Sequence, residues 1–315
     1  MALPITDAPP PRKRPVPLAL LVAMRPKQWT KNALLFAGLL FTLDLHHTSA
    51  QYARVFLGFA IFCLLSSVVY LVNDVADQES DRQHPKKRRR PIASGELPVP
   101  VAISAAAVIL TGALAGAFAT DRAFFVCAVV YFLLTLLYSF RLKHVVILDV
   151  LVLAAGFVLR AMAGAVVIHV AISHWLILCT LMLALFLGLS KRRAELLATQ
   201  QAGVVGTRRI LGEYSAAMLD QMIVIVTSAC LMSYCLYTVQ SETASRHHLL
   251  MLTIPSVIYG IFRYLYLMHR HMLGESPDAI LLEDKPTMIN IAIWGITTGL
   301  IITHAVDRAV TLFSN

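Results

Sequence analysis

Asn73, Asp74, Asp77 and Asp81 lie in "LVNDVADQESD" and read N-D-x-x-D-x-x-x-D at the end of an apolar run. On a helix, Asn73 to Asp77 and Asp77 to Asp81 are i,i+4 and Asp74 to Asp77 is i,i+3, so the four side chains share a face. Like charges at that spacing repel, and near a bilayer they are poorly solvated. A cation should offset them. Carboxylate and amide oxygens are hard ligands suited to Mg²⁺, an ion usually held by one or two carboxylates together with substrate phosphates. The expectation is Mg²⁺ at Asn73, Asp74, Asp77 and Asp81, with the three aspartates as catalytic carboxylates. The plainer alternative is a solvated loop whose acidic residues fall at this spacing by chance. The run Lys86 to Arg90 that follows has two readings: a topology signal that binds anionic lipid headgroups, or recruitment of an anionic substrate.

Other residues could meet phosphate. Arg160 is deep in an apolar stretch, where an arginine normally faces the bundle interior and marks a site. It is either a phosphate ligand or one half of a structural pair, with Asp149 or a carbonyl. Lys31 stands at the start of an apolar segment, where it can reach inward. Tyr138, Arg141 and Lys143 close another; Tyr138 fits an interfacial anchor and a ligand equally. Lys191, Arg192 and Arg193 form a third basic group, with Glu195 as its only nearby carboxylate. Asp284 and Lys285, in "PDAILLEDKP", are candidates to cap the site. His84, His144, His269 and His271 have no zinc-like spacing. The five cysteines lie inside apolar runs and suggest neither disulfides nor a metal site. No Ser-His-Asp or Cys-His constellation is present.

The elements that must hold these residues are membrane helices. The chain has 315 residues, 58% hydrophobic and only 14% charged, against about 25% charged in soluble domains. A net charge of +9 would suggest nucleic acid in a soluble protein. Here it marks loops on one membrane face, and no nucleic-acid partner is expected. A spanning helix needs about 20 mostly apolar residues. Nine such stretches fall near 28–43, 53–75, 99–120, 123–141, 145–168, 174–191, 216–239, 248–268 and 287–306. Residues 1–24 read as a flexible cytoplasmic tail and 25–315 as a single transmembrane domain. Alternate connections carry 22 of the 27 Lys and Arg, which puts the N-terminus and every motif above on the cytoplasmic side. The fold class is all-α: a polytopic bundle of about nine helices around a central cavity open to the cytoplasm, in the cell (inner) membrane.

The sequence also resembles a known family. "RPKQWTKN", the N-D-x-x-D-x-x-x-D motif, "YSFRLKHVVILDV" and the nine-span layout are similar to the UbiA superfamily of intramembrane prenyltransferases, over nearly the whole chain. Members hold a prenyl diphosphate through Mg²⁺ on two Asp-rich motifs. Where most carry the second, this chain has "LGLSKRRAELLA". That departure, with "RPKQWTKNALLFAGLLF" and "LDVLVLAAGFVLRAMAGA", resembles the decaprenyl-phosphate phosphoribosyltransferase branch.

The resemblance implies transfer of ribose 5-phosphate from phosphoribosyl pyrophosphate (PRPP) to a polyprenyl phosphate, for cell-wall arabinan synthesis. Charge agrees: PRPP and a lipid phosphate bring more anionic groups than one prenyl diphosphate, and one acidic plus one basic cluster suits them. Lys31, Asn73, Tyr138, Arg141, Lys143, Arg160, Lys191, Arg192 and Glu195 are the expected substrate contacts. The implied partners are the two substrates and membrane lipids, anionic ones included; assembly into a homo-oligomer is left open. The rival functions are transfer of a prenyl group to an aromatic or quinone precursor, and anion transport.

Overall fold

The computed structural model describes residues 14–45, 47–84, 87–171, 173–202, 209–270 and 283–303. Among these every regular element is helical. The α-helices are α1 Val16–Ala23, α2 Ala37–Leu40, α3 Ser49–Ala76, α4 Gln78–Gln83, α5 Val99–Thr120 and α6 Arg122–Phe140. They continue as α7 Leu148–Val167, α8 His174–Ala202, α9 Ala216–Gln240, α10 Glu242–Arg246, α11 Ile254–Arg270 and α12 Lys285–Ile302. Eight helical segments are long and apolar enough to cross a membrane. Seven coincide within a few residues with an expected span, and the sixth, expected at 174–191, continues to Gln200. Side chains such as Val108, Ile225, Val224 and Phe56 are more than half exposed; on a soluble monomer such patches would be anomalous, and in a bilayer they meet lipid.

Polar residues set the joints. Asp121 caps α6 by accepting from the Phe124 amide (2.8 Å), and Ser215 caps α9 by accepting from Met218 (3.1 Å). Pro286 sits in the first turn of α12, behind the Asp284 cap, where a missing N–H costs nothing.

Two expectations change. The segment 28–43 is not one long α-helix: Pro26–Phe36 is a 3₁₀ run and α2 adds a single turn. A Cβ on Gly164 would fall within 2.7 Å of the Leu35 Cα, and one on Gly38 within 3.0 Å of the Ala165 Cα. Backbones that meet this closely fix the local path, and a hydropathy pattern cannot register it. Residues 16–23, expected within a flexible tail, form α1, which begins with proline in its first turn; residues 1–13 are outside the described set.

The contacts divide into two compact units. One comprises residues up to Thr30 and Cys63–Ala113; the other comprises Lys31–Phe62 and Leu114 onward. In the first, the chain before Thr30 clasps the end of α3: Ser67 Oγ donates to the Met24 carbonyl (3.0 Å), and Trp29 Nε1 donates to Ser67 Oγ (3.0 Å). In the second, Phe36 stacks against Phe56 and Phe59, α7 packs on α6 and α8, and α8 on α9.

Candidate active site

The acidic motif belongs to the first unit. The Asp77 amide donates to the Asn73 carbonyl (2.8 Å) and the Asp81 amide to the Asp77 carbonyl (2.9 Å). The i,i+4 path therefore runs unbroken through the α3–α4 junction, and Asn73, Asp77 and Asp81 keep the common face the spacing predicts. Asp74 and Asp81 are buried and Asp77 is half-buried. Arg25, over the Tyr70 ring, donates to Asp74 Oδ1 at 2.5 Å. Arg90 Nη1 donates to Asp74 Oδ1 (3.2 Å) and to Asp81 Oδ2 (2.6 Å); Lys87 Nζ lies 4.0 Å from Asp81 Oδ1.

The motif thus draws its own counter-charge from the chain. Arg90, last of the basic run, is neither only a topology signal nor only a recruiter; it binds the acidic cluster. Lys86 is outside the described residues. Among the described residues no three His, Cys, Asp or Glu converge as a ready metal cage. The donor set still fits Mg²⁺ of the kind completed by substrate phosphates. Two buried carboxylates, Asp74 and Asp81, two turns apart, converge on one point, and the Arg90 Nη1 marks it.

Arg160 anchors a second cluster, in the other unit. It is only 9% exposed. Nε donates to Asn32 Oδ1 (2.7 Å), Nη1 to the Gly156 carbonyl (2.9 Å) and Nη2 to the Tyr131 hydroxyl (2.6 Å). The Tyr131 and Phe157 rings lie against the guanidinium. Of the two expected structural partners, Asp149 is not one, and a carbonyl, that of Gly156, is. Every acceptor is neutral, and among the described residues no carboxylate lies within ion-pairing distance of Arg160. Of its five N–H groups, one on each terminal nitrogen remains beyond these bonds. A buried guanidinium without a counter-ion is costly. Two N–H groups remain, the number that a bidentate phosphate contact uses.

The basic trio on α8 fans out, as a 3.6-residue turn requires. Arg192 is buried and charge-compensated: Nε donates to Asp149 Oδ2 (2.6 Å), Nη1 to Glu195 Oε2 (2.7 Å) and Nη2 to the Tyr138 hydroxyl (3.2 Å). Arg193 donates to Asp220 on α9 (2.5 and 3.3 Å). Lys191 is half-buried and has a polar or electrostatic interaction of its own. Arg192 and Arg193 are thus charge-compensated by Asp149, Glu195 and Asp220, so the cluster as a whole is not an uncompensated group awaiting phosphate. Glu195 orients Arg192, and Tyr138 joins the same network.

Of the remaining expected residues, Lys31 and Lys143 are half-buried and Arg141 is exposed at the end of α6. Asp284, expected to close over the site, caps α12 and accepts from Arg263 (2.8 and 3.2 Å). Arg263, followed by Thr287, holds its carboxyl below the usual carboxylate range. Residues 277–282 of the same insert, with His271, are outside the described set. Sequence reasoning missed Arg25, Asn32, Tyr131, Tyr214 and Asp220. Tyr131 looks like any aromatic in an apolar span, and only its pairing with Arg160 distinguishes it.

These features define a polytopic helical membrane protein with one acidic cluster suited to a cation and diphosphate and one buried guanidinium suited to a phosphate. The chain belongs to the UbiA prenyltransferase family, whose model matches residues 32–280. It is 35% identical over 281 residues to the decaprenyl-phosphate phosphoribosyltransferase of Corynebacterium glutamicum, covering 87% of this chain and 84% of that one. It is 33% identical over 280 residues to the Mycobacterium tuberculosis protein of the same name, covering 88% and 92%. In fold it is similar to a UbiA homolog from Archaeoglobus fulgidus solved with GPP and Mg²⁺. That likeness has a TM-score of 0.68 at 18% identity, over 91% of this chain and 99% of that one.

Proposed function

We propose that the chain is a glycosyltransferase that moves 5-phosphoribose from PRPP to decaprenyl phosphate, releasing diphosphate and giving decaprenylphosphoryl-5-phosphoribose for cell-wall arabinan synthesis. The observation that carries this reading is the likeness, over nearly the full length, to two proteins named for that transfer. Arg160 supports it: a buried cation without a carboxylate suits substrates that bring three phosphate-bearing groups.

The reaction breaks the bond between ribose C1 and the diphosphate oxygen, with the electron pair leaving on diphosphate. A phosphate oxygen of the lipid forms the new bond on the opposite face, so inversion is expected. The nucleophile is already an anion, and no strong general base is needed. Asn73, Asp74, Asp77 and Asp81 are the residues that would hold Mg²⁺, which when bound neutralises charge on the leaving diphosphate. Arg160 and Lys191 bind phosphate groups, with Lys31, Arg141 and Lys143 as further contacts. Tyr138, Arg192 and Glu195 orient the region around Lys191.

The membrane is the inner membrane and the acidic motif lies at its cytoplasmic face, with PRPP entering from that side. The charge bias of the connections supports this. The decisive assay supplies membranes carrying the protein with labelled PRPP, decaprenyl phosphate and Mg²⁺. Appearance of lipid-linked ribose phosphate, abolished by EDTA, is expected. A prenylated aromatic from labelled prenyl diphosphate, with no label moved from PRPP, would replace this reading with ordinary prenyl transfer.

A further inference from the structure

The connection entering α7 is strained. Ile147, a β-branched residue, has φ 70° and ψ −46°, a left-handed conformation that such side chains rarely adopt. The Leu148 amide donates back to the Val146 carbonyl at 2.8 Å. Together these make the rare, strained form of the γ-turn. Such a turn persists only where its surroundings over-determine it.

One side-chain atom adds to the backbone bonds around the turn, among them Asp149 N–H to the Val145 carbonyl (3.0 Å). The Tyr214 hydroxyl accepts from the Ile147 amide (2.7 Å) and donates to Asp149 Oδ1 (2.8 Å). The other oxygen of Asp149, fully buried, accepts from Arg192 Nε. Arg192 in turn holds Tyr138 and Glu195. A single phenol oxygen thus ties a strained turn to a buried carboxylate, and the carboxylate sets the direction of the guanidinium that holds the Tyr138 hydroxyl and Glu195. Neither Ile147 nor Asp149 would hold this arrangement alone: the turn would relax to negative φ, and the carboxylate would lose the donor that fixes its plane.

We propose that Tyr214 is a positioning residue for phosphate binding. It clamps the Ile147 turn and aims the Asp149–Arg192 pair, so that Tyr138, one of the expected substrate contacts, is held by Arg192 in one geometry. This rests on the phosphoribosyl-transfer reading above. Tyr214 touches no reacting atom itself. Burial pushes its hydroxyl up to about 12, so it remains a donor to Asp149 at neutral pH.

The test uses the full chain in membranes. Tyr214→Phe keeps the ring and deletes both bonds. The apparent KM for PRPP should rise about ten-fold, within the hundredfold that a 1 Å misplacement can cost, with a smaller change in kcat. Amide exchange of the peptide covering 145–152 should accelerate. Adding Ile147→Gly, which accepts positive φ without strain, should return the part of the lost KM that comes from the turn, while Asp149 still lacks its donor. Lower thermal stability with an unchanged KM would overturn the proposal, as would exchange no faster than in the wild type or a double variant no better than Tyr214→Phe. If the wild-type membranes move no label from PRPP, the functional reading fails. The exchange arm then still decides whether Tyr214 clamps the turn, and unchanged exchange rejects it.

Discussion

Arg160 and Tyr131 meet twice: Nη2 donates to the phenol oxygen at 2.6 Å, and the guanidinium carbon lies 4.7 Å from the centre of the same ring. The tyrosine fixes the plane of the guanidinium without neutralising it. Asn32 and the Gly156 carbonyl do the same from the other sides. Orientation without charge compensation distinguishes Arg160 from Arg192, which is held by two carboxylates.

Arg160→Leu should therefore raise the apparent KM for PRPP or for the lipid phosphate by about ten- to a hundred-fold, from loss of a charge-assisted contact of ~1.5–3 kcal/mol. Arg160→Lys should recover only part, because lysine lacks the planar fork. Tyr131→Phe, which keeps the ring, should cost less than either. Steady-state kinetics with each substrate varied in turn checks this. Unchanged substrate dependence with lowered thermal stability would make Arg160 a structural residue.

Removing a carboxylate from the acidic motif should stop the chemistry and spare the fold. Asp74 is contacted by two arginines that are themselves about a third exposed, so Asp74→Asn leaves cations that water can still solvate. Loss of a hard oxygen ligand should reduce transfer by at least about a hundredfold, since a bound cation is worth several kcal/mol of charge stabilisation. Asp77→Asn should behave likewise. EDTA should abolish wild-type turnover and excess Mg²⁺ restore it. Near wild-type rates in both variants at limiting Mg²⁺ would remove the metal role.

The acidic motif was legible from spacing alone because its four residues lie within nine positions of one helical path. Eight of the nine spans were legible because lipid imposes length and hydropathy on each span separately. What stayed hidden depends on contacts between distant positions. Nothing local in "SKRRAELL" says that Arg192 finds Asp149 and Arg193 finds Asp220, although Asp149 was visible as a salt-bridge partner. Pairing it with Arg160, on the same helix, was the natural guess. But Arg160 lies eleven residues further along α7, about 16 Å at 1.5 Å per residue. The 3₁₀ run at Pro26–Phe36 was illegible for the same reason: it depends on Gly164 admitting the Leu35 backbone.

Asp284 predicts an acid response. Its folded pKa is held below the ordinary value of about 3.9 by hydrogen bonds from Arg263 and then Thr287. A depressed carboxylate contributes stability that is fully present above the unfolded pKa and is lost as pH falls through the folded one. Thermal unfolding in detergent should show wild type above Asp284→Asn at pH 7. The gap should begin to close below about pH 4 and continue to close as the pH falls further. A gap independent of pH would mean that capping, which asparagine preserves, and the ion pair contribute nothing that titrates.

The basic trio on α8 gives the sharpest contrast, because one stretch of three residues holds three different environments. Arg192 is 2% exposed and faces Asp149, which is fully buried. Arg192→Ala strands that carboxylate, and breaking one partner of such a pair typically costs ~3–5 kcal/mol. It should appear as loss of folded protein after detergent extraction. Arg193 pairs with Asp220, whose side chain is 40% exposed. Water can replace that guanidinium, so Arg193→Ala should cost roughly 0.2–1 kcal/mol and leave kinetics near wild type. Lys191 is the member proposed to reach phosphate. Lys191→Ala should raise the KM for PRPP by about ten- to a hundred-fold, as expected for a contact of ~1.5–3 kcal/mol. Melting curves and PRPP titrations on the same three preparations separate these outcomes. Small and equal effects on KM at all three positions, with PRPP binding intact, would reduce the trio to helix packing and membrane topology. Phosphate recognition would then rest on Arg160 and the acidic motif.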